Sequence, residues 1–212
     1  MNKNKTHISM VVDRSGSMYS IKNDAEGGIN TLIAEQKKIG GECTLVLSEF
    51  DDKFNNIFAG NIQSFNGYTL TPRGSTALYD AVCKEIIDTG KLLAAIPEND
   101  RPALVIFVIV TDGHENASIE FTYKHMQDMI KEQTEVYNWQ FTFLCTDPTV
   151  QKIAKSAGIL SSELYSQDNT FDAYLATSSK FSRMRGMSAS GQSVDNSYTK
   201  GEIQSMTKNK IT

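Results

Sequence analysis

An apolar run from Ile8 to Val12, broken by Ser9, predicts a strand over residues 7–13. Ile21, Ala25, Ile29, Leu32, Ile33 and Gln36 then recur near a 3.6-residue period, which predicts a helix over 21–39 ended by Gly40-Gly41. Residues 44–50 read as a second strand. Asp51, Asp52 and Lys53 make a tight turn into 54–59, so this pair is expected to be a hairpin with an antiparallel edge strand. A long helix is predicted over 76–96, where Pro97 stops it. The run from Leu104 to Val110 has no alternation at all, as a parallel strand covered on both faces should have, and it is the candidate for the middle of the sheet. Beyond it the pattern gives a helix over 121–136, a strand over 140–145, a helix over 150–157 ended by Gly158, a last strand over 160–165 and a last helix over 171–185. The alternation implies an α/β fold: a doubly wound, mostly parallel six-stranded sheet with one antiparallel edge strand.

From residue 187 the composition changes to Ser, Gly, Asn, Thr and Lys. A segment with so little apolar content does not offset its ordering entropy by burial, so residues 1–186 are expected to form one domain and 187–212 a flexible polar tail. A chain of 212 residues can bury a core that needs no staple, so a metal here would serve function. The net charge of -4 is mild and the basic residues are scattered, which argues against nucleic acid or an anionic membrane as partner. Cys43, Cys83 and Cys145 are odd in number and sit within apolar runs, so they read as reduced, buried thiols. No apolar leader precedes the first strand and no apolar run is long enough to span a bilayer. A cytoplasmic location is expected.

The candidate chemistry lies at the strand ends. Asp13-Arg14-Ser15-Gly16-Ser17 closes the first strand and opens a helical stretch, placing one carboxylate and two hydroxyls on a tight turn. Thr76 follows the loop Thr71-Pro72-Arg73-Gly74-Ser75, and Asp112 ends the apolar strand. In an open α/β sheet, ligands collect at the carboxyl ends of strands where the order reverses. Three separated segments would then bring oxygen ligands to one hard cation such as Mg²⁺, which takes about six oxygens at about 2.0–2.1 Å and keeps several waters.

These residues resemble a known arrangement. The D-x-S-x-S element at Asp13, Ser15 and Ser17, the Thr of Gly74-Ser75-Thr76-Ala77-Leu78-Tyr79-Asp80 and the Thr111-Asp112-Gly113 element are similar, in order and spacing, to the three parts of the metal-ion-dependent adhesion site of von Willebrand factor A (VWA) domains, over about residues 7–180. The resemblance implies a Rossmann-like VWA fold, with Ser15, Ser17 and Thr76 ligating through hydroxyls and Asp13 and Asp112 acting largely through bound water. It implies Mg²⁺, with Mn²⁺ or Ca²⁺ as alternatives. Neutral ligands leave the ion's charge poorly cancelled, so it would seek an anionic ligand, in the family an Asp or Glu side chain of a protein partner. The T-P-R-G-S-T-A-L-Y-D-A and D-R-S-G-S-M wordings look more like stand-alone bacterial or bacteriophage members than integrin-type ones.

Other roles stay open for the same residues. Ser15, Ser17 or Asp13 can cap the following helix, Thr76 the next one, and Asp112-Gly113 can be an ordinary turn. Arg14, Met18, Tyr19, Arg73, His114, Glu115 and Asn116 are expected on the rim of the site, and Asp51-Asp52 is read as a plain hairpin turn. An enzyme is not expected. A phosphotransferase of the haloacid dehalogenase type needs a second carboxylate where Ser15 stands; no phosphate-cradling glycine loop occurs, and a Ser17, His114, Asp112 triad lacks a nucleophile elbow. A self-assembling scaffold is the structural alternative, with Asp195 or Glu202 of the tail entering another copy's site to form a homo-oligomer.

Overall fold

The computed structural model describes residues 1–162 and 164–206. Strands β1 (Asn2–Asp13), β2 (Glu42–Phe50), β3 (Phe54–Asn61), β4 (Pro102–Val110) and β5 (Gln140–Leu144) form one sheet in the order β3-β2-β1-β4-β5. β1 runs parallel to β2 and β4, and β4 parallel to β5, while β3 pairs antiparallel to β2 at the edge. The chain leaves β1 towards β2 on one side and returns to β4 on the other. Their carboxyl ends therefore flank the place where the strand order reverses.

Helices α1 (Lys22–Lys37), α5 (Thr170–Ala189) and α6 (Lys200–Met206) cover one face of the sheet, and α2 (Leu78–Ala94), α3 (Tyr123–Glu135) and α4 (Pro148–Ser156) the other. On the first face Ile8, Met10 and Val12 pack with Ile29, Leu32, Ile33 and Phe181; on the second Val11, Phe107 and Ile109 pack with Val82, Ile86 and Ile130. Gly28 brings α1 close to α5, since a Cβ there would stand 2.5 Å from the Tyr174 ring. From α5, Arg185 reaches back to donate to the Gln36 carbonyl at 2.7 Å, satisfying the end of α1 with a positive charge. Cys43, Cys83 and Cys145 are free and buried; burial pushes the Cys43 thiol up to about 11 and Cys83 and Cys145 to about 12, so all three stay protonated near neutrality. No described helix is long and apolar enough to cross a membrane.

The structure corrects several expectations. The sheet has five strands among the described residues, not six. Among the described residues the stretch expected as the last strand makes single bridges, Thr142 to Ser161 and Cys145 to Leu164, with Leu160 turned to solvent, while the buried Lys180 amine joins the Thr142 and Ser161 hydroxyls beside it. Glu163 lies outside the described residues. The middle of the sheet is β1, with β4 beside it. Both are buried on both faces, so the apolar run of β4 shows burial without position. A 3₁₀ turn, Gly16–Ile21, precedes α1, and α2 begins at Leu78, leaving Thr76 in the loop.

The boundary expected after residue 186 falls inside α5, and the segment after it turns back onto the domain. Tyr198 and Met206 are buried in the α1/α5 core, and the Tyr198 hydroxyl meets the Thr177 hydroxyl at 2.8 Å. Two apolar anchors on a face already built by α5 order a segment whose average composition is polar. Residues 207–212 of the expected tail lie outside the described residues.

One buried group gives the fold a pH dependence. His7, fully enclosed in β1, meets the Thr44 hydroxyl through Nδ1 at 2.8 Å and leaves Nε2 unpaired. Burial lowers its pKa from 6.5 to about 4. Between these values the unfolded chain takes up a proton at His7 that the folded chain refuses. Stability is therefore lost as pH falls from 6.5 to about 4, by on the order of 3 kcal/mol from this group. Denaturant unfolding across that window should show the loss, and His7→Gln should show a shallower one; equal slopes would refute the assignment.

Candidate metal centre

Each arm of the site begins at a strand end and is fixed by hydrogen bonds of its own. Asp13 closes β1 and is completely buried. Its Oδ1 accepts the Ser15 N–H at 2.6 Å, which bends the chain into the Ser15-Gly16-Ser17 turn, and its Oδ2 accepts the Thr111 hydroxyl at 2.6 Å. Ser15 and Ser17 then present their hydroxyls side by side, 3.0 Å apart. Ser15 is buried and Ser17 open to solvent.

Thr76 reaches the same place from the loop before α2. Its N–H donates to Asn116 Oδ1 at 2.9 Å and its carbonyl accepts the Asn116 and Ala117 N–H groups at 3.0 and 3.2 Å. Glu115 extends this stitching by accepting the Tyr79 N–H at 3.1 Å, and Asp80 by accepting the Ile119, Glu120 and Phe121 N–H groups. Thus the loop after β4 closes over the first turn of α2. Asp112 is half-buried; its Oδ1 accepts the Thr146 N–H at 3.0 Å and the Thr146 hydroxyl.

Gly113 shows where the arms meet. A Cβ built on it would stand 2.6 Å from Thr76 Oγ1, 2.9 Å from Asp13 Oδ2 and 2.9 Å from Ser17 Oγ. Three oxygens from two segments, the 13–17 turn and the loop before α2, therefore surround one point on a third, with Ser15 Oγ beside Ser17 Oγ. Asp112 and Ser17 also line one cavity of about 510 Å³ with Ser20, Thr146, Asp147, Pro148 and Gln167, so the cluster opens to solvent.

The donor set is the one a hard cation takes: hydroxyls and carboxylates, without thiol or imidazole. No group of three His, Cys, Asp or Glu side chains gathers for a metal among the described residues, so a softer ion lacks a comparable nest. Burial raises the Asp13 pKa; the Thr111 and Ser15 hydrogen bonds oppose this, and the nearby Asp112 charge adds to it. Among the described residues no basic side chain forms an ion pair with Asp13, while Arg14 and Arg73 pair with Glu49 and Asp51. A buried carboxylate without a fixed counter-charge suits a divalent cation.

The capping roles left open by the sequence are not taken up by side chains. Ser15 precedes the 3₁₀ turn without a side-chain capping bond, α1 has none, and α2 begins after Ala77, also uncapped by its side chain. Among the described residues Thr76 Oγ1 makes no hydrogen bond. Ser15 Oγ and Ser17 Oγ are engaged with each other and not with a helix end.

The rim differs from expectation. Tyr19, Arg73 and His114 are exposed, and His114 Nε2 meets Asp147 Oδ2 at 3.2 Å. Asn116 is exposed too, though its Oδ1 accepts the Thr76 N–H; Met18, however, is buried in the core, and the half-buried Glu115 is engaged by the Tyr79 N–H. Arg14 turns inward: Nη1 donates to Glu49 at 2.6 Å and Nε stands 3.1 Å from Asp51 Oδ2, too poorly angled for a hydrogen bond but close enough for charge pairing. Asp51 is accordingly more than a hairpin turn. Burial pushes its carboxyl up, but the Arg73 hydrogen bond, the Lys53 N–H and the Arg14 charge outweigh this and hold it below the ordinary carboxylate value. Sequence reading missed Gly113, Thr111 and Thr146 as supports; the first two stand in the Thr111-Asp112-Gly113 element, and Thr146 carries no local signal.

No protein-family model matches the chain, and neither does any curated protein. Solved structures do match. A von Willebrand factor type A structure from Catenulispora acidiphila superposes with a TM-score of 0.56 at 12% identity, covering 87% of this chain and 42% of that one. The pilus adhesin SpaC from Lactobacillus rhamnosus GG gives 0.61 at 12% identity over 84% of this chain and 30% of that one. The manganese-loaded TRAP protein of Plasmodium vivax gives 0.54 at 14% identity over 81% and 72%. This chain thus spans less than half the length of the first two. At such identities the likeness establishes the fold: the chain has the α/β fold of VWA domains.

Gly113→Ala should drive a methyl group into the three converging oxygens. A loss of about 1–3 kcal/mol in denaturant unfolding is the expected cost of this overpacking. Unchanged stability would mean that the oxygens do not crowd Gly113 as described.

Proposed function

We propose that the chain is a protein-binding module that captures an Asp or Glu side chain of a partner through Mg²⁺ held by Asp13, Ser15, Ser17, Thr76 and Asp112. The observation that carries this reading is the gathering of Thr76 Oγ1, Asp13 Oδ2 and Ser17 Oγ about the point that a Cβ on Gly113 would occupy, 2.6–2.9 Å from each. When bound, the ion would supply a positive centre that neutral ligands leave incompletely cancelled. Ser15, Ser17 and Thr76 would hold it through their hydroxyls. Asp13 and Asp112 would orient those hydroxyls and the bound water, a role that suits carboxylates already engaged by Thr111, Ser15 and Thr146. Ser17 and Asp112 face the cavity through which a partner side chain would arrive.

The Plasmodium vivax TRAP protein is loaded with manganese, which supports a divalent ion in this fold. Mn²⁺ is therefore the convenient probe, and Ca²⁺ the larger alternative. The reading is of a binding module and not of an enzyme, since the gathered groups include hydroxyls and carboxylates but no nucleophile–base pair. The trans-tail reading finds less support. Asp195 accepts from Ser197 N–H and Oγ at 2.9 and 2.6 Å, and Glu202 takes Arg183 at 3.2 Å and the Thr199 N–H at 2.7 Å, all within one chain.

Calorimetric titration should detect Mg²⁺ and Mn²⁺ binding, weakened by about tenfold or more in Ser17→Ala, Thr76→Ala and Asp112→Ala with the circular dichroism unchanged. Capture of a protein partner should require Mg²⁺, fail in chelator and fail with Asp112→Ala. A wild-type chain that binds neither ion would reject the mechanism.

A further inference from the structure

The two ligand-bearing loops, 13–17 and 71–77, share no secondary-structure pairing, yet their oxygens must be held together before any ion arrives. Direct contact between them is slight: Arg73 N–H donates to the Arg14 carbonyl at 2.7 Å, and Gly16 N–H to the Gly74 carbonyl at 3.2 Å. Behind both lies Asp51, at the end of β2, fully buried.

Asp51 contacts both loops. Its Oδ2 accepts Arg73 Nε at 2.7 Å and stands 3.1 Å from Arg14 Nε, so one oxygen faces a guanidinium from each loop. Its carbonyl accepts the Ala77 N–H at 2.9 Å, next in the chain to Thr76. Its Oδ1 accepts the Lys53 N–H at 2.8 Å, which fixes the carboxylate itself in the hairpin turn. Gly74, at φ +71°, lies so close that a Cβ there would stand 3.3 Å from Asp51 Cβ, so the loop is seated on this residue. Glu49 completes the arrangement by binding Arg14 at 2.6 Å and the Tyr68 hydroxyl at 3.1 Å.

We infer that Asp51 is a positioning residue for the ion site: it clamps the Ser15/Ser17 turn and the Thr76 loop together through Arg14 and Arg73, without itself touching the ion. This rests on the metal reading above for its purpose, though the clamp stands on geometry alone. Removing the Asp51 charge would leave Arg73 without this ion pair and the buried Arg14 with Glu49 alone, so the two loops would lose the anion they share. The three oxygens are thereby set at fixed spacing, and the ion does not have to order the loops.

The test uses the full chain with Asp51→Asn, which keeps the shape and the backbone bond to Ala77 while removing the charge. Ile130→Ala, in the α3 core, serves as a control for general destabilisation. Amide hydrogen exchange without metal should show faster exchange at Arg73 and Gly16 in Asp51→Asn but not in the control. Mn²⁺ affinity should fall by about ten- to a hundredfold in Asp51→Asn and stay within about twofold in the control. Unchanged exchange at both amides, or a wild-type Mn²⁺ affinity in Asp51→Asn, would overturn the proposal. If the wild-type chain itself binds no Mn²⁺, the metal reading fails, and exchange at Arg73 and Gly16 alone decides whether the clamp exists.

Discussion

A carboxylate buried at the end of the central strand has few stable options: it can be protonated, paired with a fixed cation or left for a mobile ion. Asp13 sits in this position with no basic partner among the described residues, its oxygens held by the Ser15 N–H and the Thr111 hydroxyl. The topology imposes that placement. β1 is enclosed between β2 and β4 and covered on both faces, so whatever follows Val12 emerges at the reversal of strand order with protein on every side but one. The open side carries Ser17 and Asp112. Burial there raises the Asp13 pKa, so its charged form is the one that a nearby cation would favour.

Ionic bonding around this centre is segregated. The strong cations nearby, Arg14 and Arg73, are drawn back to Glu49 and Asp51, away from the gathered oxygens. Had Arg14 turned towards Asp13, it would have supplied the missing counter-charge and closed the site to any ion. The β2 end supplies two carboxylates to prevent this. On the other flank, Glu115, Asn116 and Asp80 satisfy the free N–H groups at the start of α2 and in the loop over it, work that Thr76 would otherwise be placed to do. Both flanks leave the central hydroxyls unoccupied.

Much of this was legible in the chain because it depends on local spacing. Asp13, Ser15 and Ser17 are set within one turn, and Asp112 and Gly113 directly follow an unmistakably buried strand, so their position at strand ends could be read from pattern alone. The edge hairpin was legible for the same reason. What could not be read depends on distant partners. Arg14 looks like a surface residue until β2 brings Glu49 and Asp51 beneath it, and Met18 looks like rim until the 3₁₀ turn swings it into the core. The sixth strand is reduced, among the described residues, to two isolated bridges and one Phe143 N–H bond to the Ser161 carbonyl, and Leu160, which the pattern read as a strand residue, faces solvent. Tyr198 and Met206 were hidden by averaging: composition over the final segment is polar, yet burial is decided by two residues.

Helix capping is the simplest rival to ion binding at these hydroxyls, and the chain itself argues against it. Serine and threonine at strand-to-helix turns most often cap helices, and if these side chains did so the site would need no further explanation. Elsewhere the chain does use side-chain caps: Thr122 and His125 close a capping box on α3, and Asp147 accepts the Thr149 and Val150 N–H groups at the start of α4. The two helices next to the cluster lack them. Their N-terminal positions fall to Ile21 and Ala77, residues that offer no side-chain acceptor. The chain caps α3 and α4 with side chains, yet at the point where its strand order reverses the Ser15 and Ser17 hydroxyls pair with each other and, among the described residues, neither they nor the Thr76 hydroxyl caps a helix.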